Sequence, residues 1–83
     1  RAIQYNRWGS HLNTGVTYLE RASSDSAQYY DKAVEEFQKA VDAWPDTALG
    51  FRYLGYAYNN KGDFDNALKA FDEAWRRGKD VES

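Results

Sequence analysis

The sequence predicts an all-α fold: tandem antiparallel helical hairpins, four helices in all, forming an α–α superhelix over residues 1–83 as a single domain. Three observations carry this. Apolar residues recur at three- and four-residue spacing in four separate stretches, the mark of helices with one buried face. Strong breakers divide those stretches: a Ser-rich run at 23–26, Pro45, and Gly62. Nothing alternates with period two for long enough to form a strand.

The first stretch, about Ala2 to Arg21, aligns Tyr5, Trp8, Leu12, Val16, Leu19 and Ala22. Gly9 and Gly15 interrupt it, each costing about 1 kcal/mol relative to Ala if exposed, and Gly9 marks a place for a break. Ser23-Ser24-Asp25-Ser26 reads as a polar loop, with Asp25 or Ser26 as N-cap of the next helix. That helix aligns Tyr29, Tyr30, Ala33, Val34, Phe37, Ala40, Val41 and Trp44, with Asp31, Glu35, Gln38, Lys39 and Asp42 on its polar side. Pro45 stops it, since Pro lacks the amide donor and biases Trp44 away from helical geometry. Asp46 or Thr47 can cap a third helix running to about Asn60. Gly62 then supplies a left-handed residue, and Asp63 caps a fourth helix. Phe64, Ala67, Leu68, Phe71, Ala74 and Trp75 form its stripe, and Gly78 is expected to close it, with the basic Arg76, Arg77 and Lys79 complementing the dipole at that end. The hairpins are thus about 2–44 and 46–78.

A chain of 83 residues has a small core, and its rings supply bulk: seven Tyr, four Phe and three Trp. Each can bury roughly 150–250 Å². Eleven basic against thirteen acidic residues leave a net charge of −2, which argues against nucleic acid or an anionic membrane surface as partner. No cysteine is present, so there is no disulfide or thiolate chemistry. No apolar stretch nears the roughly 18 residues of a membrane-inserting span.

Two hairpins in tandem invite a test for repetition. Ala33-x3-Phe37-x2-Ala40 superimposes on Ala67-x3-Phe71-x2-Ala74 with an offset of 34 residues, the period of a tetratricopeptide repeat. From about residue 11 to 78 the chain resembles that family. The second repeat carries Phe51, Leu54-Gly55, Tyr58, Gly62, Ala67, Phe71 and Ala74. The first carries Gly15, Tyr18, Tyr30, Ala33, Phe37, Ala40 and Pro45. Small residues facing large ones allow close helix crossings without voids. The chain departs from the pattern in three ways. About six extra residues lie between Leu19 and Tyr30, His11 and Thr14 stand where the family has an aromatic and a leucine, and there are two repeats where arrays usually need about three.

Catalysis is not expected. His11 is the only histidine, and adjacent Ser10 cannot face it from the same helix. No ligand cluster, cofactor motif or glycine-rich phosphate loop is present, and Glu35 and Glu36 read as a solvated helix face. The resemblance instead implies a concave groove lined by the first helix of each hairpin. On the third helix, Phe51, Leu54 and Tyr58 point to the hairpin partner, while Leu49, Tyr53, Tyr56 and Asn60 form a second stripe at spacings of 4, 3 and 4, flanked by Arg52 and Asn59. Rings beside Arg and Asn suit peptide recognition; alternatively, Leu49 and Tyr53 only pack against the first hairpin. The resemblance places Leu12, Val16, Leu19 and Glu20 on the same groove. Leu12 and Val16 occupy places where carboxylate-gripping members use Lys and Asn, so a more apolar ligand is implied. Tyr29 and Trp44 offer an alternative convex patch.

The expected function is that of a scaffold or adaptor binding a peptide or helix of a partner protein. The rival readings are a structural or self-associating end of a longer solenoid, or an engineered binder on this scaffold. Trp75 and Phe71, with nothing after Gly78 to cover them, predict weak homo-oligomerisation.

Overall fold

In a computed structural model the described residues are 5–22 and 28–82, apart from the side chains of Tyr5 and of residues 79–82. The expected helix start at Ala2 and the cap at Asp25 or Ser26 lie outside them. Four helices follow in order: α1 (Tyr5–Arg21), α2 (Gln28–Ala43), α3 (Ala48–Lys61) and α4 (Phe64–Glu82). Packed helical hairpins result, with no strand among the described residues.

The caps explain the boundaries. Thr47 has extended backbone (φ −93°, ψ 139°), and its Oγ1 accepts from the Leu49 amide at 3.4 Å, satisfying one of the free donors at the start of α3. At the far end Gly62 adopts φ 93°, a left-handed conformation open to glycine without a Cβ clash. Its amide donates to the Asn59 carbonyl at 3.1 Å and the Asp63 amide to that of Tyr58 at 2.9 Å. Asp63 then caps α4: its Oδ1 accepts from the Asn66 amide at 3.4 Å and its Oδ2 from the Asn66 side chain at 2.7 Å.

α1 is a single helix, as read from the sequence, and passes through Gly9 unbroken. One sequence expectation gives way here: Gly78 does not end α4, which continues to Glu82. Gly62 is the one described glycine with positive φ, so Gly78 lacks the left-handed backbone of a helix stop. Gly78 instead lies against the start of α3, where an added Cβ would stand 3.9 Å from that of Ala48. Arg76 and Arg77 are therefore interior to α4. Arg76 bonds back to Asp72 at 3.1 Å, and Arg77 to Glu73 at 3.2 Å, with its guanidinium 5.3 Å above the Phe51 ring.

α1 packs on α2 and α3 on α4; α3 also lies along α2 and touches α1, whereas α4 packs on α3 alone among the described elements. The core gathers Leu12, Ala33, Phe37, Ala40, Val41, Leu54, Ala57 and Ala70, and Phe37 is its largest fully buried side chain. Each hairpin is closed by the same contact. A Cβ on Gly15 would stand 2.5 Å from the Phe37 ring, and one on Gly55 would stand 2.6 Å from the Phe71 ring. These glycines are absent side chains that let a ring lie flat on the facing backbone. The phenylalanines are 34 residues apart and the glycines 40. The difference is the six-residue excess in the connection between α1 and α2, so the insertion leaves the packing of the first hairpin intact.

Candidate partner-binding groove

α3 meets a neighbour on two of its sides. Gly50 and Ala57 are buried towards the first hairpin, where Gly50 lies against Val41 and Trp8. Phe51, Leu54 and Tyr58 line a shallow cleft of about 170 Å³ with Asn66, Lys69, Ala70 and Glu73 of α4. The remaining edge carries Arg52, Tyr56, Asn59 and Asn60, all exposed.

Tyr53 and Leu49 are half-buried and packed against the core. Tyr53 stacks on Phe37 (5.5 Å between centroids, 19° between planes) and meets Tyr56 edge-on at 5.8 Å; Tyr56 in turn meets Phe71 edge-on at 5.5 Å. A continuous ladder of rings, Phe37–Tyr53–Tyr56–Phe71, thus joins the two hairpins. Leu49 and Tyr53 pack on the core. Tyr56 has both roles, being 43% exposed and held by two neighbouring rings.

From α1 the groove receives less than expected. Leu12 is 8% exposed and belongs to the core. Val16 and Leu19 are half-buried and also pack on the core, and Glu20 is exposed. On the convex candidates, Tyr29 stacks on Tyr18 (5.8 Å, 20°) with the Lys32 ammonium over both rings, and Trp44 meets Trp8 edge-on at 5.0 Å. Both join α2 to α1.

One polar pair was not foreseen. Glu36, read from sequence as solvated, is part-buried and bonded to His11: Nδ1 lies 2.8 Å from Oε1. Lys39 approaches the other oxygen at 3.4 Å. Burial raises the Glu36 carboxyl, but the hydrogen bonds from His11 and Lys39 and their charges outweigh it, so the group is held below its ordinary value. At the equivalent place in the second hairpin Phe51 and Ala70 line the cleft between α3 and α4. His11–Glu36 is the polar substitute, and the signal was available: at an offset of 34 an acidic residue stands where the second repeat has Ala70. Beside it is an open cleft lined by Arg7, His11, Lys39, Asp42 and Ala43. Among the described residues no group of three His, Cys, Asp or Glu side chains is placed to hold a metal ion, and no helix is long and apolar enough to cross a membrane.

The tetratricopeptide-repeat family model matches residues 54–76, the core of the second hairpin from Leu54 to Arg76. Over that stretch the chain matches the tetratricopeptide repeat. No significant match was found among curated proteins or solved structures. The tetratricopeptide assignment agrees with the packing: the matched stretch contains Gly55 and Phe71, and the same glycine–ring contact recurs at Gly15 and Phe37 in the first hairpin. Tetratricopeptide repeats are helical scaffolds for protein interaction.

Proposed function

We propose that this chain is an adaptor module that seats a peptide or helix of a partner protein along the exposed edge of α3. The observation that carries this reading is the edge itself. Arg52, Tyr56, Asn59 and Asn60 are exposed on a helix whose other sides are occupied by α2 and α4. A rigid ring beside a guanidinium and two amides combines apolar area with adaptable hydrogen bonding. The half-buried Leu49, Tyr53, Val16 and Leu19 make the floor apolar, and Arg52 is the cation of that edge. The ligand that fits is mainly apolar, with a carboxylate or carbonyl placed for Arg52. Tyr29 and Trp44 are held by rings of α1, which favours the groove over the convex side.

The test is to select binders from a peptide library on the intact chain and measure each variant for stability and affinity. Arg52→Ala and Asn59→Ala should hold stability within about 0.5 kcal/mol, while truncation of an interface anchor costs about 2 kcal/mol, roughly thirtyfold in affinity. If both bind as tightly as the parent while Tyr29→Ala or Trp44→Ala loses binding without unfolding, the convex patch is the site.

A further inference from the structure

We propose that two copies of this chain associate through α4, packed antiparallel across a two-fold axis. The surface is separate from the groove edge of α3, and the argument does not depend on that reading.

Phe64, Leu68, Phe71 and Trp75 follow one another at spacings of 4, 3 and 4, the alternation of a helix–helix seam. Phe64, Leu68 and Trp75 are 66%, 70% and 64% exposed. Phe71 lies between them, resting on Gly55 and Tyr56. In α2 the residues 34 positions earlier are Tyr30, Val34, Phe37 and Val41. There the stripe is covered, because Phe37 and Val41 are buried beneath α3 and Val34 packs on the same core. The first hairpin therefore shows what this face does when a helix is laid on it.

The charges say which helix covers the face on α4. Along one flank of the seam run Asp65, Lys69, Asp72 and Arg76, again at spacings of 4, 3 and 4, with signs −, +, −, +. Reversed, the order becomes +, −, +, −. An antiparallel copy thus sets Asp65 beside the other copy's Arg76 and Lys69 beside its Asp72, twice over, as a two-fold interface requires. The corresponding flank of α2 is Asp31, Glu35, Gln38 and Asp42, which would repel its own copy. Head-to-tail stacking is disfavoured by the other end of the molecule. The α1 residues that correspond to Gly50, Tyr53 and Ala57, the side α3 turns to the first hairpin, are Ser10, Asn13 and Thr17. All three are polar and exposed, and the Thr17 hydroxyl is bonded back to the Asn13 carbonyl at 3.0 Å.

The exposed shares of Phe64, Leu68 and Trp75 come to roughly 300–500 Å² per copy at about 150–250 Å² for each large side chain. That is below the roughly 800 Å² per partner of a stable complex, so the dimer is weak, with Kd on the order of 10 µM to 1 mM.

Sedimentation equilibrium of the 83-residue chain from about 10 µM to 1 mM at low salt tests this. The expected result is a monomer–dimer equilibrium that stops at the dimer. Raising the salt screens the flanks and should raise Kd severalfold. Leu68→Asp should raise it at least about tenfold, with helical circular dichroism unchanged because that side chain is exposed. Asp65→Arg and Arg76→Asp should each weaken self-association, because each sets like charges against each other across the two-fold axis. An equimolar mixture of the two should restore it, since in the heterodimer position 65 of each copy again meets the opposite charge at position 76 of the other. A monomer throughout at low salt, an open-ended ladder of larger species, or a mixture no better associated than either variant alone would each overturn the proposal.

Discussion

Replacing three α1 and α3 glycines by alanine separates two effects that the helix pattern alone confounds. In a helix interior Gly→Ala gains about 1 kcal/mol from backbone entropy alone. At Gly9 a Cβ would meet nothing within 4 Å, so Gly9→Ala should stabilise by roughly that amount. At Gly15 the same Cβ would stand 2.5, 2.7 and 2.8 Å from three atoms of the Phe37 ring. Normal carbon contacts lie near 3.5–4.0 Å, so the ring must retreat by about 1 Å, and Phe37 is fully buried with nowhere to go. Overpacking of this kind costs about 1–3 kcal/mol. Allowing for the gain in propensity, Gly15→Ala should destabilise by up to about 2 kcal/mol. Gly55 faces Phe71 at similar distances, but that ring is only half-buried and can shift towards solvent, so Gly55→Ala should fall between the other two. For a chain this size each kcal/mol moves Tm by about 4–8 °C. Thermal and urea unfolding would resolve the order Gly9→Ala, parent, Gly15→Ala. Pairing Gly15→Ala with Phe37→Leu should recover part of the loss, a coupling expected only for residues in contact. If Gly15→Ala stabilises as much as Gly9→Ala, the glycine–ring contact does not close the hairpin.

Three further outcomes follow from single contacts. The Glu36 carboxyl is held below its ordinary 4.5 in the folded chain, so it contributes stability above that value that is lost as pH falls through the lower folded one. The stability advantage of the parent over Glu36→Gln should therefore shrink as pH falls through and below 4.5, and curves that stay parallel would show the carboxylate to be unpaired. Gly62→Ala places a Cβ at φ 93° and should cost about 1 kcal/mol or more, whereas Thr47→Ala removes a cap worth about 1 kcal/mol; denaturant midpoints check both. Tyr56→Ala removes two edge-on ring contacts at about 0.5–1.5 kcal/mol each, so it should destabilise measurably where its neighbour Arg52→Ala does not; equal stability of the two would place Tyr56 wholly in solvent.

The elements were legible because each rule that sets them is local. Pro45, Gly62, Thr47 and Asp63 act within a turn of where they sit, and the 34-residue offset follows from residues that must be small or large. The errors came where a residue's role depends on what lies across from it. Gly78 has the form of a helix stop, yet α4 runs through it to Glu82, and its smallness faces Ala48. Leu12 matched a groove position by resemblance, but it is buried in the core. Glu36 had the polarity of a solvated face, and only the fold brings His11 to it across 25 positions. The exposed edge at Arg52, Asn59 and Asn60 was readable from rotation along one helix, because α3 has neighbours on fixed sides. The half-buried state of Tyr53 and Leu49 was open until the first hairpin was in place.

The most direct test of the groove is residue-resolved. A peptide selected for binding to the intact chain is titrated into the isotopically labelled protein, and backbone amide shifts are followed. The account predicts that the largest changes cluster at Arg52, Tyr56, Asn59 and Asn60, with smaller ones at Val16 and Leu19 and none at Tyr29 or Trp44. Changes centred on Tyr29 and Trp44, with α3 silent, would contradict it.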